Sequence, residues 1–454
     1  MQKFLNNFFK IKERKSSITQ EIIAGIIVFF AILYTLPVNS SLISKSGISE
    51  DAAFTITAIV CAITTILIGV VANRSFVMGS GAGMNAFFVY TLTLSLGYSW
   101  QEGLSILLVS SILFLIVSIT GIRTKIVNAI PQDLKFAISA ALGLFIAYIG
   151  LDLGGVVISD SAGIRLGSLD NPLVLLSLFG IIVVLIFTVL PKKISRFAII
   201  FAMFLTALVG FLLGLFGVNN MPSFNFNTKV NFRETPFVAF LNLGILKNPK
   251  TYAVIISAFF VQLFDATGSL VAVGNEMGVI DEEGNLIDSK KIMIADSASF
   301  IIANTLGGVS SITLAESAIS TKNGARTGLS SVVVGLLMLS TLVTYPLFSI
   351  FSTITVNGES YAPVTALALV YVGIMLFSNI KKINFENPII TITSFIIISM
   401  TIFTSSIVNG LGIGFIVYII LMVVSKKSKE VNVVMYFIAF FYILSFVIDY
   451  LLVG

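Results

Sequence analysis

The chain has 454 residues, 57% of them hydrophobic and 11% charged, with a net charge of +5 and no histidine. An average soluble domain is about 25% charged, so a soluble globular enzyme and a disordered chain are both excluded, since neither could hide so much apolar surface. Without histidine there are no imidazole metal sites, Ser-His-Asp triads or histidine proton relays. Cys61, the single cysteine, leaves no internal disulfide and no cysteine-based metal cluster.

The arm Met1–Lys15 alternates aromatic and basic residues; it reads either as an interfacial helix on an anionic leaflet or as a free tail. A spanning helix needs about 20 mostly apolar residues. Such runs follow at Ile22–Val38, Ala52–Ala72, Met84–Leu96, Leu104–Gly121, Leu134–Leu151, Pro172–Leu190 and Phe197–Val218. After a long loop, 219–250, come Tyr252–Met277, Ile292–Leu306, Thr313–Ser320, Leu329–Phe351, Ala362–Ser378, Pro388–Ser405 and Val408–Val424. These fourteen runs are numbered as spans 1 to 14. The first is too long for a signal peptide and lacks a small-residue cleavage site. A further run, Val431–Val453, reads as a fifteenth crossing or as a helix lying along the membrane.

Basic residues mark every second loop. They occur in the arm, then at Arg74, at Arg123, Lys125 and Lys135, and at Lys192, Lys193 and Arg196. The second half repeats the pattern with Lys290 and Lys291, Lys322 and Arg326, Lys381 and Lys382, and Lys426, Lys427 and Lys429. This alternation predicts a cytoplasmic N-terminus and accounts for the basic excess without a nucleic-acid partner.

Spans 3 and 10 are too short to cross as simple helices, and each follows a Gly/Ser stretch, Ser75–Gly83 and Gly307–Ser311. Unwound backbone at membrane depth is tolerated where it is buried in protein or lines a cavity. Interrupted spans in corresponding positions of two halves point to a transporter's binding site; close-packed small residues are the alternative. Seven spans on either side of the long loop predict two copies of opposite orientation.

Polar residues cluster at these breaks: Asn85 just inside span 3 and Glu316 in span 10. Asp265 lies near the middle of span 8, with Gln262, Ser269 and Glu276 on one helical face with it. Intramembrane acids are functional by default. They accept N–H groups from a planar heterocycle or take up a proton; the alternative for Asp265 is an interhelical hydrogen-bond donor, and for Asn85 a partner for backbone. Asp296 reads as structural or capping, and Asp449 as interfacial.

Phe260–Leu270 (FVQLFDATGSL) resembles the FVDLFDTTGTL segment of AzgA-like purine permeases in the nucleobase–cation symporter-2 group. Ala24–Asn39, Gly83–Val89 (GMNAFFV), Ala295–Ser297 (ADS), Ala315–Ala318 (AESA), Gly324–Leu329 (GARTGL) and Ser406–Phe415 (SIVNGLGIGF) resemble the same family, in order from about residue 20 to 421. The resemblance implies an all-α polytopic membrane protein of fourteen helices in two inverted seven-helix repeats. It also implies a core domain at 20–130 and 251–352 (spans 1–4 and 8–11) and a gate domain at 131–218 and 353–425 (spans 5–7 and 12–14). An arm at 1–19, the loop 219–250 and a tail at 426–454 complete the chain. By match of motif, Asp265, Glu316 and Asn85 contact substrate, and backbone around Gly83, Thr313 and Ala315 completes the pocket.

Gln262 stands where many relatives have an acid, Leu314 where relatives often have Tyr, and Ser269 where uracil-carrying cousins have His, so their proton route does not transfer. The expected function is import of a purine nucleobase (hypoxanthine or guanine, or adenine) across the cytoplasmic membrane. The expected mechanism is elevator-type, with H⁺ or Na⁺ as coupling ion, no cofactor, no resident metal, and a homodimer left open. Proton-coupling candidates are Glu316 and Asp265. Rivals are an anion carrier of the sulfate or bicarbonate kind, a uracil or xanthine transporter of the same fold, and a polytopic membrane enzyme. No HExxH, GxSxG or Walker motif supports the last.

Overall fold

The computed structural model describes residues 2–160, 163–195, 197–278, 289–404 and 406–453. Arg196 lies outside them, as do the side chains of Lys192, Lys193, Glu276 and Asp449. Every apolar run forms helix. Span 1 is Ile18–Ile32 followed by Thr35–Ser44, span 2 Glu50–Ala72, span 4 Trp100–Ile119, span 5 Gln132–Leu153, span 6 Pro172–Val189 and span 7 Ala198–Leu215. In the second half, span 8 is Lys250–Glu276, span 9 Ser289–Thr305, span 12 Pro363–Phe377, span 13 Pro388–Phe403 and span 14 Ile407–Val424. Among the described residues seven helices are long and apolar enough to cross a membrane by themselves. Span 11 adds an eighth if Leu329–Ser340 and Tyr345–Phe351, bent by 86°, are one span. Pro346 stands at that bend, and Tyr345 is held there by its hydroxyl, which donates to Asp51 at 2.5 Å.

Spans 3 and 10 are broken, and they meet. Strand β1 (Met78–Ser80) pairs antiparallel with β4 (Ser311–Thr313), with Gly79 opposite Ile312. The other strands form two outlying hairpins, β2–β3 (Val157–Asp160, Gly163–Leu166) and β5–β6 (Ile354–Val356, Glu359–Tyr361). Past β1 the chain enters the helix Ala82–Ala86, which widens to a π-helix over Phe87–Ser95. Past β4 the half-helix is shorter than the sequence suggests. Thr313 is spent on the strand, and the helix runs only over Ser317–Lys322, with Glu316 at its N-cap position. Gly324, at φ +93°, ends it in a conformation that glycine adopts without strain.

The packing maps onto itself when each span is exchanged with the one seven places along. Span 4 packs on 9 and span 11 on 2; span 4 packs on 8 and span 11 on 1. Span 5 packs on 13 and span 12 on 6; span 6 packs on 7 and span 13 on 14. Spans 5 and 12 pack on each other, as do 2 and 9, and β1 and β4. Even the helix starts repeat. Spans 6 and 13 each begin with an Asn that accepts a backbone N–H two residues on (Asn171 from Leu173, Asn387 from Ile389), followed by Pro in the first turn. This is the arrangement of two inverted repeats. Spans 1, 2, 4, 8, 9 and 11 surround the β1–β4 pair, while spans 5, 6, 7, 12, 13 and 14 form a second layer built on the 5–12 contact.

Two flanking elements are also ordered. The arm forms a helix, Gln2–Phe9. It is held down by buried Phe9 and Ile11 against Leu329 and by Asn73, whose Nδ2 donates to the Phe9 carbonyl at 2.9 Å. Phe4 and Phe8 remain exposed. The last run forms the helix Val433–Val453, which packs on spans 14 and 8. Tyr442 anchors it by stacking on Phe260 of span 8, with ring centroids 5.6 Å apart.

Small residues let spans 5 and 12 approach closely, as in other membrane helix contacts. A Cβ on Gly143 would meet the Gly373 carbonyl oxygen at 2.6 Å and Leu376 Cβ at 2.8 Å, whereas one on Gly244 meets nothing. Overpacking costs about 1–3 kcal/mol. Gly143→Leu is therefore expected to lower the thermal midpoint of the detergent-solubilised protein, and Gly244→Ala to leave it unchanged.

Candidate functional site

Spans 8, 3 and 10 converge beside the β1–β4 pair. Asp265, on span 8, directs Oδ2 towards the entry of the span 3 half-helix. A Cβ on Gly81 or on Gly83 would meet that oxygen at 3.1 Å, so glycine keeps the approach open. The Met84 backbone N–H also hydrogen-bonds the carboxyl group, as expected at a helix N-terminus. Asp265 Oδ2 itself has no hydrogen-bond partner.

Glu316 is reached from span 10. It is half-buried, and its Oε1 accepts a 2.7 Å hydrogen bond from the hydroxyl of Tyr34. Tyr34 sits at the break between the two helices of span 1. Among the described residues neither Asp265 nor Glu316 has an ion-pair partner. The neighbouring backbone is well held: Leu314 N donates to the Val77 carbonyl at 2.9 Å, and Val77 N donates to Ser317 Oγ at 2.9 Å. Gly83 and Thr313 are buried here, and Ala315 is exposed.

Asn85 stands on the span 3 half-helix, Ala82–Ala86. It is fully buried, and its amide is engaged on both sides. Its Oδ1 accepts from Ser80 Oγ at 2.6 Å, and its Nδ2 donates to Asn39 Oδ1 at 2.7 Å. Asn39 in turn donates to the Ser80 carbonyl at 3.2 Å. This set ties span 1 to the end of β1 and the start of the half-helix. Gln262 is likewise fully buried and satisfied. It accepts from Ser110 Oγ at 2.8 Å and donates to Ser111 and Ser310 hydroxyls, each at 3.1 Å.

Asp296 pairs with Arg123 at 2.9 Å, both fully buried, so its role is that of an ion-pair partner and not a cap. The guanidinium also donates through Nε to Thr267 Oγ1 at 2.8 Å and lies 4.6 Å from the Phe114 ring centroid. Sequence reading placed Arg123 among the loop bases; its one distinguishing signal was proximity to the apolar end of span 4. Tyr34 was also missed. A phenol in an apolar run three residues before Pro37 signals a buried hydroxyl that needs a partner.

The comparisons fit this geometry. The profile of the Xan_ur_permease family, described as a permease family, matches residues 19–413. The guanine/hypoxanthine permease PbuG of Bacillus subtilis is 34% identical over 98% of this chain and 99% of its own length. The adenine permease AdeP of Escherichia coli is 28% identical over 98% and 96%. Among solved structures, the transmembrane domain of the cyanobacterial bicarbonate transporter BicA superposes with a TM-score of 0.63 at 13% identity, covering 87% of this chain and 97% of that one. The murine anion transporter Slc26a9 in its inward-facing state gives 0.58 at 13%, covering 90% and 68%. At such identities the structural likeness concerns the fold.

Removing one partner of a buried ion pair costs about 3–5 kcal/mol, and replacing both with apolar residues is often near neutral. Arg123→Met should therefore strongly lower thermal stability, and the double variant Arg123→Met/Asp296→Leu should recover most of the loss, as read by thermal unfolding in detergent.

Proposed function

From its membership of the Xan_ur_permease family of nucleobase–cation symporters, to which this chain belongs, we propose that the protein imports purine nucleobases by ion-coupled symport across the cytoplasmic membrane. The reading rests on one observation: two intramembrane carboxyl groups, Asp265 and Glu316, converge without ion-pair partners among the described residues, and Asp265 Oδ2 is not taken by a protein donor. A purine offers N–H donors in the plane of its rings, the geometry that a carboxylate accepts. Guanine, hypoxanthine and adenine are the candidates, in keeping with the names of the relatives. Thr313, Gly83 and Ala315 supply backbone around the base, and Asn85, tied to Ser80 and Asn39, is the third side chain assigned to the substrate. The same carboxyl groups are the candidates for carrying a coupling proton.

The fold is shared with bicarbonate and other anion carriers. An anion would require a base or a bare helix N-terminus at the site, whereas here Asp265 occupies the approach to the span 3 half-helix. A uracil or xanthine substrate is the nearer rival.

The two packing layers suit an elevator in which the core, spans 1–4 and 8–11, carries the site past the gate, spans 5–7 and 12–14, with the N-terminus in the cytoplasm. On that orientation the outer face carries a contact between them. Lys45 of span 1 pairs with Asp152 of span 5 at 3.1 Å, and Tyr90 of span 3 donates to the same carboxylate at 3.3 Å.

A hydrogen bond to a charged group contributes about 1.5–3 kcal/mol, or roughly 10- to 100-fold in affinity. Asp265→Asn and Glu316→Gln should each reduce hypoxanthine uptake by that order in cells lacking their own carriers, with adenine and guanine competing and a protonophore abolishing accumulation. Unchanged rates in both variants, or sulfate uptake without purine uptake, would overturn the assignment. Disulfide formation in Lys45→Cys/Asp152→Cys should block uptake until reduced; full uptake by the cross-linked protein would rule out motion at this contact.

A further inference from the structure

We propose that Tyr34 is a positioning residue for transport: its hydroxyl holds Glu316 Oε1 and so fixes the carboxylate in the orientation that meets the substrate. This rests on the nucleobase-transport reading and adds to it a residue from span 1.

Glu316 needs such a partner. It stands at the head of a helix of only six residues, Ser317–Lys322, and helices this short impose little order of their own. Its side chain is half-buried and has no ion-pair partner among the described residues. An unrestrained glutamate side chain pays rotamer entropy each time it is ordered by a ligand. Tyr34 removes that cost in advance. Its phenol is itself well placed, because it sits between the helices Ile18–Ile32 and Thr35–Ser44, where its own carbonyl accepts from Val38 N at 3.2 Å.

The hydrogen bond also distinguishes the two carboxylate oxygens. While Glu316 is ionised it can only accept, so the phenol is the donor and Oε1 the acceptor. The site then presents the held Glu316 carboxylate and the open Asp265 Oδ2 to a flat ligand. Tyr371, on span 12 of the opposite layer, is another titratable group within electrostatic range of Glu316. It makes no hydrogen bond to Glu316, so it does not duplicate Tyr34.

The test uses the full-length protein, with hypoxanthine as probe. Tyr34→Phe should raise KM for uptake about 10-fold, with Vmax, membrane abundance and thermal midpoint close to those of the unmodified protein. Tyr34→His, which keeps a ring and a donor, should recover most of the affinity. In purified protein, Tyr34→Phe should weaken hypoxanthine binding in the Glu316-containing background and add no further loss to Glu316→Gln, the non-additivity expected of residues acting through one contact. If Tyr34→Phe is poorly expressed, the same binding comparison is made per folded molecule. An unchanged KM, or an equal additional loss in the Glu316→Gln background, overturns the inference while leaving the nucleobase reading intact. Absence of any purine uptake by the unmodified protein overturns that reading, and the inference with it.

Discussion

Backbone amides at membrane depth have no water to bind, and everything at the centre of this molecule follows from how that demand is met. Two chain segments leave the helical conformation there, which exposes N–H and C=O groups that each cost several kcal/mol if unpaired. They satisfy one another through the three-residue β1–β4 ladder, and hydroxyls around them take up the remainder. Thr65 Oγ1 donates to the Met78 carbonyl at 3.0 Å, and Ser331 Oγ donates to the Phe76 carbonyl at 2.6 Å. The ladder is short enough to let each chain turn back into helix at once, so two half-helices begin near one another and near span 8. The site is the space that this closure creates.

The surrounding polar groups divide cleanly by satisfaction. Asn39, Asn85 and Ser80 form one closed set, and Gln262, Ser110, Ser111, Ser310 and Asn304 form another, with Asn304 Nδ2 donating to Ser111 at 2.7 Å. Arg123 and Asp296 neutralise each other. Buried networks of this kind rigidify when complete. Against them, the open oxygen of Asp265 stands out as chemistry that the fold does not consume. Polar residues at depth therefore serve two ends here, and the partners they have found separate the two.

Much of this was legible in the residues. Apolar runs located the spanning helices, because length and hydropathy suffice in a lipid solvent, and the Gly/Ser stretches located both breaks. The three acids of interest stood out because charge is so rare in these runs. What stayed hidden depended on partners distant in sequence. The ladder takes Thr313 out of the expected half-helix, and nothing local to span 10 announces a partner at Met78. Nothing local to span 3 announces Asn39, 46 residues away, as a partner of Asn85. Tyr34 and Glu316 are 282 residues apart, and Arg123 and Asp296 belong to different halves. In each case composition gives a residue's needs and tertiary structure decides who meets them.

The interleaving of the halves bears on how the chain is made. Spans 1, 2 and 4 pack on partners that emerge only after the long loop, and β1 waits for a strand whose Thr313 lies 235 residues beyond Met78. During synthesis, then, a nascent first half inserts with an unpaired strand and an unfilled seam, and the packing around β1 is completed only when the second half arrives. Contacts of such long range are slow to form and leave sticky intermediates. The burden falls on the insertion machinery to shelter a half-built bundle, and a chain interrupted within loop 219–250 yields two fragments that must find each other in the bilayer before either becomes stable.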